Sequence, residues 1–489
     1  MEQGRLGVIT EGSFTGGLTV RLDSPDVEEL QVGSFVVLEG DRQLYFSLIH
    51  DLQLRVTDQG VVADPPANSP FIRNALHGVH TYAAATVRPS LEISQSDRES
   101  IDGAVRAVRT IPGHFSVLRR AQKTDFDTVF GAETDEQFAL GSPIANDEIM
   151  IPINLPKLVE RSNGIFGQTG TGKSVLARLI LYGLIRSKLA STLIFDMHDE
   201  YATGDPNRPE IPGLRTFFGT SRIKVYSLDK RSGGSDPHIT IGLNQIRPDD
   251  IALLAGELDL RDTFDASAYA LSRAFGDEWL SQLLTLEGDD LAQFCDTYSA
   301  HPAAIEGLRR KLRYLESSDY IVSHQASDPV QEILGHLENQ HHVVIQFGRH
   351  SRLRDYMLVA NLLTRRIHDR YTDRAQRAAP GARTLPPLLV VLEEAHKFLS
   401  PEAARQSIFG TIAREMRKFG VSLLVVDQRP SGIESEILSQ LGTRVTGLLT
   451  DPADIEAVLS GTGDRSAMRA MLASLEPSRQ CLVVGHAIP

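Results

Sequence analysis

The sequence predicts an α/β protein: a largely parallel core built on a phosphate-binding loop, with a small β-barrel before it and a helical subdomain inserted into it. The stretch Gly167-Gln168-Thr169-Gly170-Thr171-Gly172-Lys173-Ser174 sets two glycines either side of four residues and follows them with Lys and Ser, the P-loop spacing. Apolar runs ending in acids, Thr192–Asp196 and Leu388–Glu394, alternate with helical stretches, as buried parallel strands do. Residues 4–89 instead alternate short β-rich runs with glycine turns.

At 489 residues the chain exceeds one ordinary core and implies two or three domains. Its hydrophobic fraction of 41% and charged fraction of 23% are those of a soluble globular protein. A net charge of −13 excludes a nucleic-acid binder with a globally basic surface and leaves a local basic channel open. Cys295 and Cys481 stand far apart without a CxxC or histidine companion, so they are read as buried thiols in a reducing compartment. The opening MEQGRLGVITEG has no basic segment followed by an apolar one, and no later run approaches the roughly 18 apolar residues of a membrane helix. A cytoplasmic protein is expected.

Leu6–Thr10, Leu18–Leu22, Ser34–Leu38, Leu44–Leu54 and Thr81–Val87 read as strands, punctuated by Glu11-Gly12, Gly16-Gly17, Gly33 and Glu39-Gly40-Asp41. Residues 1–90 therefore form a small barrel or sandwich without catalytic residues, a docking or oligomerisation module. Asn68–His80, with Pro70 and Gly78, is a loop. Residues 91–157 are a connector on the core, with a helix over Ser96–Val108, a polar segment over Gln122–Gln137, a turn at Leu140–Pro143 and a strand over Ile149–Ile153 that Pro152 places at an edge.

The core occupies 158–247 and 341–489. Asn163–Phe166 leads into the P-loop and Val175–Ile185 leaves it as a helix. Glycines let backbone N–H groups close around phosphate oxygens, and the helix N-terminus adds positive potential. Lys173 is expected to reach the β- and γ-phosphates of ATP and Ser174 to hold Mg2+; contacts to the nucleotide span Gly167, Gln168, Thr169, Gly170, Thr171, Gly172, Lys173, Ser174 and Val175. After Thr192–Asp196 come His198, Asp199 and Glu200; the P-loop's magnesium accounts for these carboxylates better than a separate metal cluster, and His198 reads as a loop residue.

Residues 248–340 turn helical, with Ile305, Leu308, Leu312 and Leu315 at helical spacing and Asp328-Pro329 as a helix start. Arg309, Arg310, Lys311 and Arg313 are read as a solvated face. Strands resume at Val343–Phe347, Leu388–Leu392, Val421–Val426, Val445–Leu449 and Cys481–Val484. The arginines between the first two, Arg365, Arg366, Arg370, Arg374, Arg377 and Arg383, are read as a solvated helix and loop.

Leu388–Glu394 has the form of a Walker B strand. Glu393 would position the magnesium shell, commonly an aspartate's task, and Glu394 would polarise the attacking water. Together GQTGTGKS, FDMHDEY, VVLEEAHKFL, IAREMRKFG and VVDQRPS, in that order, resemble the HerA family of hexameric ATPases within the HerA/FtsK class. The resemblance covers nearly the whole chain, including an N-terminal module similar to that family's HAS barrel, and implies a RecA-like core. It implies that Gln428 is a polar sensor and that Arg414 and Arg417 supply arginine fingers across a subunit interface, although Met416 stands where the family often has Gly. Arg161 is a further interface candidate. A surface salt bridge, which stabilises little, is the other use of these arginines. The sequence ends at Gly485–Pro489, where members of the family continue into a further strand and tail, so the resemblance does not extend to what such a tail does.

The resemblance implies a homo-oligomeric ring, hexameric in that family, that hydrolyses ATP and translocates double-stranded DNA with a NurA-type nuclease in DNA end processing. A reading of a different class is a ring that scaffolds a sirtuin-like or nuclease effector in an antiphage complex. A membrane-anchored DNA pump is weakened by the lack of an apolar span.

Overall fold

The computed structural model describes residues 4–489 except 25–26, 64–69, 77–78, 95–104, 145, 205–207, 231–236, 261–263, 325–328, 351, 378–384 and 463–464. Two compact units are present, one from Met1–Asn154 with Ser466–Met471 and Ile488–Pro489, the other from Leu155–Arg465 with Leu472–Ala487.

The first unit is an antiparallel barrel. Strands β1 (Arg5–Ser13), β2 (Gly17–Leu22), β3 (Phe35–Glu39), β4 (Gln43–Val56), β5 (Thr81–Ser94), β6 (Val105–Ala107) and β7 (Val117–Arg120) run β2-β1-β7-β3-β4-β5-β6, and pairing of β2 with β5 closes the ring. Alternate residues of β3 serve two cores. Val36 and Leu38 join Leu18, Val20, Ile49 and Leu118 in one, while Val37 joins Phe46, Phe126, Val129 and Ile149 in the other. Phe126 and Val129 belong to the helix Lys123–Phe130, inside the segment expected to be merely polar.

Residues 91–94, 105–107 and 117–120 are thus part of the barrel sheet and not a connector. β5 continues through Pro89, which faces Ser47 at an irregularity where β4 shifts register, and β7 fills the gap between β1 and β3 that closure requires. Polar Arg88, Ser90 and Glu92 obscure the strand in the sequence. Of the helix expected over Ser96–Val108, residues 96–104 lie outside the described residues and Val105–Ala107 is strand β6. Asn68–His80 contains a short helix, Pro70–Leu76, between undescribed residues. Strand β8 (Gln137–Gly141) takes in the first two residues of the expected turn and, among the described residues, pairs only with β9 (Ile151–Asn154), where Pro152 needs no ladder partner on its far side.

The second unit is built on β10 (Asn163–Phe166), β11 (Ser191–Asp196), β12 (Ile223–Ser227), β15 (His342–Gln346), β16 (Leu388–Glu393), β17 (Val421–Asp427), β18 (Thr443–Thr446) and β19 (Leu482–Gly485), with β13 (Ile241–Gly242) and β14 (Ile321–Val322) as a separate small pair. The order is β12-β15-β11-β16-β17-β10-β18-β19. All neighbours are parallel except β18 and β19. Every residue of β10, β11, β16 and β17 is buried, the sign of a sheet covered on both faces.

Between β12 and β15 in sequence lie helices from Pro248–Ala252 to Pro329–Glu338. Ile305, Leu308, Leu312 and Leu315 are buried as their spacing predicts, while Asp328 lies outside the described residues. Arg309 and Lys311 are ion-paired, to Glu287 at 3.0 Å and Asp259 at 3.1 Å. Arg365, expected on a solvated face, is instead buried in the long helix Leu353–Arg377 against the buried Asp250; Arg383 lies outside the described residues. Cys295 is buried, Cys481 is half-buried rather than buried, and both are free. Among the described residues no helix is long and apolar enough to cross a membrane.

Candidate nucleotide-binding site

The P-loop leaves β10 between β17 and β18, where three parallel strands end together. A Cβ on Gly167 would meet Thr171 Oγ1 at 2.6 Å, so this turn requires glycine. Gly172 adopts a left-handed conformation (φ 88°, ψ 19°) at the N-cap of the helix Lys173–Ser187, and no side chain caps the helix there. Its first N–H groups are left for an anion. Gln168 O accepts from Lys173 Nζ at 2.9 Å and from Thr171 Oγ1 at 2.8 Å. Burial lowers the pKa of Lys173, against the raising charges of Glu394, Asp427 and Glu393. Ser174 is half-buried and Val175 is exposed.

The acids come from the neighbouring strand ends. Glu393 closes β16, buried, and Glu394 follows with a left-handed φ of 48° that turns it off the strand line. Asp196, fully buried at the end of β11, accepts from the N–H groups of Glu200 and Tyr201, both at 2.9 Å. The Tyr201 hydroxyl donates to Glu393 Oε1 at 3.1 Å, and Oε2 is buried without a partner among the described residues. Burial, reinforced by Asp196, pushes Glu393 up to about 8; burial pushes Asp196 up to about 7. Asp427, ending β17, accepts from the His396 N–H at 2.6 Å and lies 3.0 Å from His396 Nδ1. His198 is exposed and stands apart from this buried group. Tyr201, Tyr356, His396 and Asp427 were not singled out by spacing; Tyr201, His396 and Asp427 lie within the FDMHDEY, VVLEEAHKFL and VVDQRPS strings, whereas nothing local marks Tyr356.

Residues 138–367 match the family model described as the central domain of the helicase HerA. The chain is similar to the DNA double-strand break repair helicase HerA of Pyrococcus furiosus, 25% identical over 433 residues, 81% of this chain and 77% of that one. The protein of the same name from Sulfolobus acidocaldarius is 22% identical over 98% of this chain and 91% of its own. Over these spans the chain is similar to the HerA family. It is an ATP-hydrolysing enzyme. Among solved structures, VirB4 of Thermoanaerobacter pseudethanolicus superposes over 73% of this chain and 96% of its own at 13% identity and a TM-score of 0.44, too loosely to support a further statement.

In this chain the position expected for a sensor touches both halves of the site. Gln428 Oε1 accepts from Thr169 Oγ1 at 2.7 Å, and Gln428 Nε2 lies 3.5 Å from Glu394 Oε1. The fold thus assembles Lys173, Glu393, Glu394 and Gln428. It does not bring the arginines to them. Arg414 is held by Glu434 at 2.5 Å and Glu436 at 3.5 Å. Arg417 is exposed on the turn Met416–Phe419, just before β17, without a side-chain partner among the described residues. Since Leu388 pairs with Val421 and Glu393 with Val426, Arg417 sits at the opposite sheet edge from the acids, roughly 17 Å along the strands. Arg161 precedes β10 at that same edge, its stem packed where a Cβ on Gly442 would come within 2.7 Å, and its Nε is buried without a partner among the described residues.

Proposed function

We propose that the chain assembles into a hexameric ring that uses ATP and Mg2+ to translocate double-stranded DNA, acting in the cytoplasm with a partner nuclease in DNA end processing. One observation carries the ring: a complete acidic and lysine half-site stands on one sheet edge while the exposed Arg417 stands on the other, so a chain supplies the arginine only to a neighbour. The relatives named as DNA double-strand break repair helicases support the DNA substrate.

The residues fit ATP with a divalent cation. The uncapped helix start at Gly172 offers N–H donors to phosphate, and the partnerless Glu393 Oε2 suits a hard cation's hydration shell. Magnesium, when bound, neutralises charge on the phosphates. Lys173 exchanges the Gln168 carbonyl for phosphate, Ser174 joins the metal shell, Glu394 takes the attacking water's proton, and Gln428 reports the P-loop's state to Glu394 through Thr169. The helices of 248–340 form an inserted subdomain, and the N-terminal barrel docks the partner.

The test is binding of a DNA duplex across a salt series, with displacement of a third strand in the presence of ATP. Binding that falls steeply with salt and ATP-dependent displacement are expected. No binding at low salt and no displacement would overturn translocation and leave a ring that scaffolds an effector. Co-purification from the native host identifies the partner, a nuclease on this reading.

A further inference from the structure

The Walker B strand is held at its end by two phenols that no ladder requires. β16 pairs with β11 from Ser191↔Leu388 to Phe195↔Leu392 and the ladder stops there, leaving the next N–H and C=O, those of Glu393, without a strand partner on that side. The Tyr356 hydroxyl takes both: it accepts from Glu393 N at 3.1 Å and donates to Glu393 O at 3.0 Å. A buried peptide group left unpaired here would carry its full desolvation cost. Tyr356, from the long helix Leu353–Arg377, therefore stands in for the missing β11 residue.

Tyr201 acts on the side chain. The Asp196 carboxylate gathers the N–H groups of Glu200 and Tyr201, closing the turn that brings this fully buried ring over β16. Its hydroxyl then occupies Glu393 Oε1 and leaves Oε2 without a partner among the described residues. A phenol has one proton to donate, so only one carboxyl oxygen is occupied.

We propose that Tyr201 and Tyr356 are positioning residues that clamp Glu393, main chain and side chain, so that Oε2 alone is presented to the divalent cation's shell. This rests on the reading of Glu393 as a metal-shell residue. Partners of this kind fix a ligand's orientation and tune its affinity without touching the metal.

The experiment measures affinity of the full chain for a non-hydrolysable ATP analogue, in chelator and across a Mg2+ series, with thermal melts alongside. Tyr201→Phe is expected to bind the analogue in chelator as the parent does, while the Mg2+ needed for half of the metal-dependent tightening rises about tenfold or more. Tyr356→Phe is expected to shift the same quantity in the same direction. Tyr371→Phe, which removes another buried hydroxyl, bonded to Pro386 O, should leave the Mg2+ series unchanged. A parent-like Mg2+ series in Tyr201→Phe, equal losses with and without metal, or a chain that no longer folds would each overturn the positioning role. Glu393→Gln separates the two levels. If it responds to Mg2+ like the parent, the metal-shell reading of Glu393 falls and the clamp with it; if it loses the response while Tyr201→Phe keeps it, only the clamp falls.

Discussion

Glu393 and Glu394 are adjacent acids with opposite environments, and the backbone makes the difference. The left-handed φ of Glu394 is costly for a residue with a Cβ, and strain of this kind collects at functional sites. It leaves Glu393 buried in the strand line and Glu394 half-buried beside Gln428. Glu394→Gln is expected to keep ATP binding and lose hydrolysis by roughly a hundredfold or more, since the amide cannot accept the water's proton. Lys173→Ala should lose nucleotide binding. Parallel binding and turnover assays check both, and parental turnover in Glu394→Gln would remove it as the base. His342, in β15, illustrates a different residue effect. Burial lowers its pKa to about 3, and its Nδ1 meets Thr192 Oγ1 at 3.1 Å. Below about 6.5 the unfolded chain takes a proton that the folded one refuses, so stability present at neutral pH is lost as pH falls toward 3, with a slope approaching 1.4 kcal/mol per pH unit. Replacing His342 by Gln should flatten that acid limb in denaturant titrations at pH 4 to 7; an unchanged limb would assign it to the carboxylates.

Two helices of the second unit meet on one buried carboxylate, and a third is tied in through Asn361. Asp250, in the helix Pro248–Ala252, accepts from Arg365 Nε at 3.0 Å and Nη2 at 2.5 Å, from Asn361 Nδ2 at 3.1 Å and from the Arg247 N–H at 2.9 Å. Asn361 Oδ1 in turn accepts from the N–H of Ile408, where the helix carrying Arg414 begins. The long helix is thereby pinned to both. Asp250→Ala leaves a buried guanidinium uncompensated and should destabilise the unit by about 3–5 kcal/mol. Adding Arg365→Met to it should recover part of the loss. Thermal melts of both variants decide it; equal melting of parent and Asp250→Ala would show that the pair is idle. Arg365 looked like one more arginine of a solvated helix because its spacing carries no sign of Asp250, 115 residues earlier.

At the scale of the whole molecule, the position of Arg417 makes a prediction about assembly. The sheet stands between it and its own acids, and it is exposed on a turn. Arg417→Ala should stop turnover without lowering the melting temperature, since a planar cation on the transferring phosphoryl group contributes about a thousandfold or more. Rings mixed from Arg417→Ala and Lys173→Ala chains should regain activity, because some sites then draw lysine and Glu394 from one chain and arginine from the next. Mixed rings that stay dead, with mixing verified by mass, would count against a finger in trans at this residue. Arg414, held by Glu434 and Glu436, would have to break two ion pairs to serve instead.

By itself the sequence determined the strand, P-loop and helix around Lys173, the acid-tipped strand of Glu393, and the likeness to the HerA family, because these are carried by contiguous residues whose spacing is the signal. It determined the barrel only as far as β5, since β7 is four residues long and earns its place by filling the gap between β1 and β3, a requirement of closure that no local pattern records. Tertiary structure alone decided which acids share a strand end with the P-loop, that Tyr201 and Tyr356 grip Glu393, and that Arg417 and Arg161 lie at the far edge of the sheet. The physical reason is the parallel sheet itself: strands distant in sequence end together, so neighbours at the site are set by strand order and register, and those follow from packing summed over the whole unit.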